Sequence, residues 1–171
     1  MSRESKAECC DILIHMKNIT DHLAALSLTA WTGSLWAIGY LAVPVLFHAQ
    51  PDRQLAGMLA GEMFTVSGYL GLLFGSYLIF YFARQSGRLR EPKIWIVAIM
   101  LLLTLIIQFG IQPVMSDLKL QAAPLNVMDS SYAARFKLLH GISSIAYLVE
   151  SLLGLLMVIK GYRPTLSPAA P

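Results

Sequence analysis

Ile94 to Met115 reads IWIVAIMLLLTLIIQFGIQPVM, an uncharged stretch of 22 residues. A hydrocarbon layer about 30 Å thick is crossed by roughly 20 residues of α-helix, so this stretch alone is long enough to span a membrane. Three further runs share its character: Leu23–Ala49, Leu55–Ala83 and Leu138–Ile159. Deep inside the four runs lie two carboxylates, Glu62 and Glu150. Four spans joined by shorter links predict an all-α fold, an antiparallel four-helix transmembrane bundle. Ile12, Met16, Ile19 and Leu23 fall at helical spacing between polar residues and predict a short N-terminal amphipathic helix lying at the interface.

Composition agrees with that reading. Of 171 residues, 56% are hydrophobic and 13% charged, and the mean hydropathy is +0.61. Soluble domains carry about 25% charged residues. A chain so poor in charge cannot cover a water-facing surface, so the lipid bilayer is the expected partner. The formal charge of +3 is read as membrane topology, and no nucleic-acid partner is expected. With both termini inside, the inner segments hold nine basic residues: Arg3, Lys6, Lys17, Arg84, Arg88, Arg90, Lys93, Lys160 and Arg163. The outer segments hold four: Arg53, Lys119, Arg135 and Lys137. Basic residues collect in cytoplasmic loops, so both termini are expected in the cytoplasm.

The chain divides into a cytoplasmic segment with the amphipathic lead-in at 1–22, a transmembrane domain at 23–160 and a disordered cytoplasmic tail at 161–171. The first run is too long for the apolar part of a signal peptide and is expected to be retained. Cys9 and Cys10 are adjacent and build no disulfide framework. Two reduced thiols, a metal site with His15 and acylation stay open for them. Pro44 is expected to bend the first helix. The link from His48 to Gln54 is short enough to make the first two helices antiparallel neighbours.

A helical rise of about 1.5 Å per residue sets the depth of each polar residue. Glu150 falls near the midplane, while Glu62, Gln112 and His140 fall roughly 10, 11 and 13 Å towards the outside. His48 and Arg135 fall at the outer interface, roughly 20 Å from the middle. On the last helix His140, Ser144, Tyr147 and Ser151 share one face, which should turn towards the bundle interior. Glu62, Tyr69 and Ser76 make a similar stripe on the second helix. Its glycines, Gly57, Gly61, Gly68 and Gly75, form a face on which another backbone packs closely, inside the monomer or in a dimer.

These residues suggest an outer-half polar pocket of Glu62, Gln112, Arg135 and His140, with Glu150 deeper. Glu62 reads either as a neutral acid bonded to the first helix, or as a functional group that pairs with His140 or Arg135 or relays a proton. Glu150, with no basic residue at its depth, is expected as a protonated carboxylic acid, which suits a buried hydrogen bond or a proton or cation site. His140 also reads as a metal or haem b ligand, with His48 as a second axial ligand lying about 7 Å further out. There is no Walker loop, dinucleotide fingerprint, His-Glu-x-x-His or CxxC, so no catalytic residue is named.

Pro44-Val-Leu-Phe47, Ala56-Gly57 and Gly61-Glu62-Met-Phe64 resemble the hairpin of four-helix membrane proteins similar to eukaryotic transmembrane protein 205. Phe136-Lys-Leu-Leu-His140-Gly-Ile-Ser143 resembles that family's signature before the last helix. Tyr147 stands where the family has an asparagine, a departure that sets aside any role resting on an amide. The resemblance covers residues 25 to 160 and implies a multi-pass membrane protein of a bacterial group whose domain has no established activity. A more distant likeness, to copper-resistance and haem-binding four-helix proteins including a protoporphyrinogen oxidase type, bears on His140.

The expected role is therefore a non-enzymatic inner-membrane protein with an outer-half polar pocket. A haem- or metal-binding redox protein using His140 is one alternative. A small proton-coupled transporter using Glu62 and Glu150 is another. A homo-oligomer or a membrane-protein partner meeting the glycine face is the third.

Overall fold

The computed structural model describes the backbone of residues 3–86, 91–123 and 125–161, and the side chains of 19–85, 91–123 and 125–160. The expected disordered tail, the Cys9–Cys10 pair and the polar side of the lead-in fall outside the described residues or side chains. Among the described residues every regular element is helical.

The first span is built from α1 (Arg3–Trp36), a π turn over Ala37–Ala42 and α2 (Val43–Ala49). The second is α3 (Arg53–Ser86). The third joins α4 (Pro92–Leu105), a π turn over Ile106–Ile111 and α5 (Gln112–Ala122). The fourth is α6 (Ala133–Gly161), reached through a short 3-10 turn at Val127–Asp129. Stretches Ile19–Ala49, Arg53–Gln85, Pro92–Ala122 and Ala133–Lys160 are each long and apolar enough to cross a membrane.

Sequence chemistry sets the ends of these helices. Asp52 caps α3, its Oδ1 accepting from the backbone N–H groups of Gln54 at 2.8 Å and Leu55 at 3.1 Å. Pro92 opens α4, a position where the missing N–H costs nothing. Two expectations change. The amphipathic lead-in is continuous with the first span, because no proline or glycine interrupts residues 3–32. The third helix runs on from Met115 to Ala122 and the fourth begins at Ala133, ahead of Leu138. Hydropathy marks where the apolar surface stops; the more polar stretch from Ser116 to Gln121 still accepts helical geometry.

Both π turns precede a proline at the same offset. Pro44 and Pro113 each stand two residues beyond the π segment. A helical proline offers no N–H to the carbonyl four residues back and its ring crowds that carbonyl. Those carbonyls belong to Tyr40 and Phe109, both inside the widened turns. The disturbance expected at Pro44 is thus absorbed as a π turn, and the third span repeats the device.

The spans pack as a ring in chain order: α1 against α3, α3 against α4, α4 against α6, and α6 back against α1. At its centre Trp31 is fully buried, with Leu28, Leu35, Leu78, Val97, Met100 and Met157 around it. The outside is apolar, with Leu26, Leu41, Leu73, Ile145 and Ile159 each at least 60% exposed. Soluble monomers do not carry so continuous an apolar surface; lipid covers it. The protein is a multi-pass helical membrane protein.

Glycines of α3 receive the central tryptophan. A Cβ on Gly71 would stand 2.6 Å from Trp31 Nε1, and one on Gly75 2.9 Å from its Cη2. Overpacking of this kind costs about 1–3 kcal/mol, so Gly71→Val is expected to lower the melting temperature in mild detergent. Gly33→Ala, where a Cβ meets nothing within 4 Å, should leave it unchanged.

Candidate functional site: an interior polar seam

Glu150 is 2% exposed and lies on α6 within about one helical turn of the middle of its span. Its Oε1 stands 2.8 Å from Thr104 Oγ1 on α4. The same threonine oxygen is 3.0 Å from the carbonyl of Met100. A hydroxyl has one proton to donate, so it serves only one of these two acceptors at full strength. When Glu150 carries a proton, its O–H donates to Thr104 Oγ1 and Thr104 donates to the Met100 carbonyl. In that form the Thr104 hydroxyl both accepts and donates, and the Met100 carbonyl keeps its bond.

The interior of the bundle is polar to an unusual degree for a membrane core. Thr32, Ser67, Gln108 and Ser151 are buried within it, as Glu150 is. Trp31 faces the carboxyl, yet its Nε1 has no hydrogen-bond partner of good geometry, and neither do Thr32 Oγ1 and Ser67 Oγ. A buried polar group left unpaired costs about 1–3 kcal/mol, a penalty that apolar residues of similar size avoid.

Next to Glu150, Ser151 ties α6 to the first span. Its carbonyl accepts from Trp36 Nε1 at 3.3 Å, and its Oγ accepts from Tyr40 OH at 3.4 Å. One turn away Tyr147 donates to the carbonyl of Leu35 at 2.7 Å and lies directly over Gly39 in the π turn. The second π turn is held likewise: Gln108 Nε2 donates to the carbonyl of Thr65 at 3.4 Å, with its side chain over Gly68. Each widened turn therefore presents a polar contact to the seam, in keeping with the use of π turns at working sites. Tyr147→Phe should cost about 1 kcal/mol, read as a small drop in melting temperature with the fold retained.

The outer-half layer inferred from depth is arranged differently. Glu62, Arg135 and His140 are exposed and Gln112 is half-buried. No hydrogen bond or ion pair among the described residues joins any of these to another or to Glu150. The stripe on α6 splits: Tyr147 and Ser151 turn inward, whereas His140 and Ser144 stay exposed. On α3 the expectation is corrected, because Glu62, Tyr69 and Ser76 are exposed and Gly71 and Gly75 take the interior. Gly68 meets Gln108, while Gly57 and Gly61 have only Phe47 and Lys119 near them.

Lys119, placed by sequence in a link, is instead the polar group between helices at this end. It is half-buried, donates from Nζ to the carbonyl of Gly57 at 3.1 Å and sits 5.8 Å from the ring of Phe136. Glu62 is near enough to act on it electrostatically. The His140 ring stacks on Phe136 at 6.1 Å, and His48 is exposed at the end of α2. An exposed imidazole on a phenyl ring does not fit an axial haem ligand, which needs an enclosed cleft. Among the described residues no three His, Cys, Asp or Glu side chains converge on a metal-sized space.

Compared with known proteins, the chain matches one family model, described as a domain of unknown function (DUF4149), over residues 26–124. No curated protein and no solved structure matches it.

Proposed function

The chain belongs to the DUF4149 family, and from that premise we propose that it is a non-enzymatic inner-membrane protein that takes up and releases a proton at Glu150 to drive movement of a small solute. Both termini lie in the cytoplasm in this reading, which the nine basic residues of the inner segments against four in the outer ones support. The observation that carries it is a buried midplane carboxyl whose hydrogen bond to Thr104 has a natural place for one proton. An ionisable group at that depth is costly and marks proton or ion pathways in membrane proteins. Trp31 Nε1, which faces the carboxyl, is one of the buried polar atoms without a partner.

The likeness to proteins similar to transmembrane protein 205 fits a chain of this size and topology. Outside the seam, the outer-half layer becomes a cap centred on Lys119, with Glu62 beside it and the Gly57 carbonyl beneath it.

A pH jump on reconstituted protein tests the proposal without knowledge of the solute. Vesicles adsorbed on a solid-supported electrode should give a transient current when the pH steps. Glu150→Gln should abolish that current and Glu62→Gln should retain it. An absent wild-type current, or one that Glu150→Gln leaves intact, overturns the reading.

A further inference from the structure

We infer that a groove between α1 and α3, at the end of the bundle where α3 leaves the apolar layer, binds the headgroup of an aminophospholipid. The groove encloses about 420 Å³ and is lined by Asp21 of α1 and by Tyr77, Phe80, Tyr81, Arg84 and Gln85 of α3. Among the described residues its two charged side chains have opposite sign, and no ion pair joins Asp21 to Arg84. Each is positioned by an aromatic residue. Tyr81 OH donates to Asp21 Oδ1 at 2.5 Å, and the Arg84 guanidinium lies 5.0 Å from the centroid of Phe80. Tyr77 and Tyr81 stack at 6.4 Å with 28° between their planes.

This chemistry selects a zwitterion. A carboxylate beside stacked tyrosine rings suits a primary ammonium, which gains from both the charge and the ring faces. A guanidinium fork suits a phosphate, to which it donates two parallel hydrogen bonds. The groove also lies at headgroup depth: Asp21 stands just before the apolar run that starts at Leu23, and Arg84 just after the one that ends at Ala83. Phe80, 58% exposed, continues the groove towards the apolar layer where an acyl chain would lie. Phosphatidylethanolamine meets all four conditions. Phosphatidylglycerol lacks the ammonium, and phosphatidylcholine has no N–H to donate to Asp21.

Native mass spectrometry of purified protein, exchanged into equal mixtures of the three lipids, tests this. Phosphatidylethanolamine should be retained about tenfold over either competitor, the ratio that one charge-assisted hydrogen bond supplies. Asp21→Asn, which still accepts from Tyr81, should remove the preference and leave some retention of all three. Arg84→Gln should lower retention of every lipid, and both variants should melt near the wild-type temperature, because the groove is at the surface. Soluble phosphoethanolamine should fail to displace the lipid. Equal retention of the three lipids, unchanged preference in Asp21→Asn, or displacement by the soluble headgroup each overturns the assignment. The last outcome would give the groove to a free phosphorylated amine.

Discussion

Trp31→Ala is expected to dissolve the centre of the bundle. The side chain is fully buried, its ring lies over Gly71 and Gly75 of α3, and its Nε1 edge faces Glu150 of α6. Truncating a buried tryptophan costs about 3–5 kcal/mol where the site cannot collapse. In lipid the interior is no more apolar than the surroundings, so helix association depends on close packing rather than on hydrophobic burial. Two glycines facing an empty volume have no side chains with which to fill it. The variant should therefore lose its cooperative melting transition in mild detergent, or show it at a much lower temperature. Trp95→Ala, on an α4 face that is 61% exposed, is the matched control and should melt like wild type. An equal loss in both would show that the centre is not built around Trp31.

Glu150→Leu is expected to separate stability from function. If the acid served only to hold α6 to α4, its removal would leave Thr104 without a partner and weaken the bundle. Yet Thr104 has a second acceptor, the Met100 carbonyl at 3.0 Å, so its hydroxyl stays satisfied when the carboxyl is gone. Removing one partner of a buried hydrogen bond is costly when it leaves the other unsatisfied, and here Thr104 keeps an acceptor. The melting temperature should hold or rise, while the current evoked by a pH jump should vanish. A marked fall in melting temperature would instead make Glu150 a structural residue.

The two central residues of this account were unequally visible in the sequence. Glu150 was plain, because an acid 12 residues into an apolar run of 22 has no other reading than depth. Four spans and their order were legible for the same reason: composition and length decide whether a helix can cross a membrane. Trp31 was not, since an aromatic residue in an apolar run carries no sign of which face it occupies.

That difference also explains the outer-half layer. Depth follows from counting along a helix, but azimuth does not, and Glu62, His140 and Arg135 lie on the same side of the midplane while being exposed. On α6 the stripe from His140 to Ser151 has correct periodicity throughout. Only the part that other spans cover, Tyr147 and Ser151, is inside. Pro44 and Pro113 did announce irregularity. Their resolution into π turns held by Tyr147 and Gln108 required knowing what lies across the interface. Lys119 escaped notice because a charged residue beyond an apolar run reads as a loop, whereas here the helix continues and its ammonium reaches the Gly57 carbonyl.

Infrared spectroscopy of the reconstituted protein tests the central claim, that Glu150 is an exchangeable proton site within the membrane. The wild type should show the carbonyl stretch of a neutral carboxylic acid, retained in Glu62→Gln and lost in Glu150→Gln. On transfer to deuterated buffer, without unfolding, that band should shift as the proton exchanges. A spectrum without the band, or a Glu150 band that never shifts, would contradict the account and leave a sealed acid at the centre of the bundle.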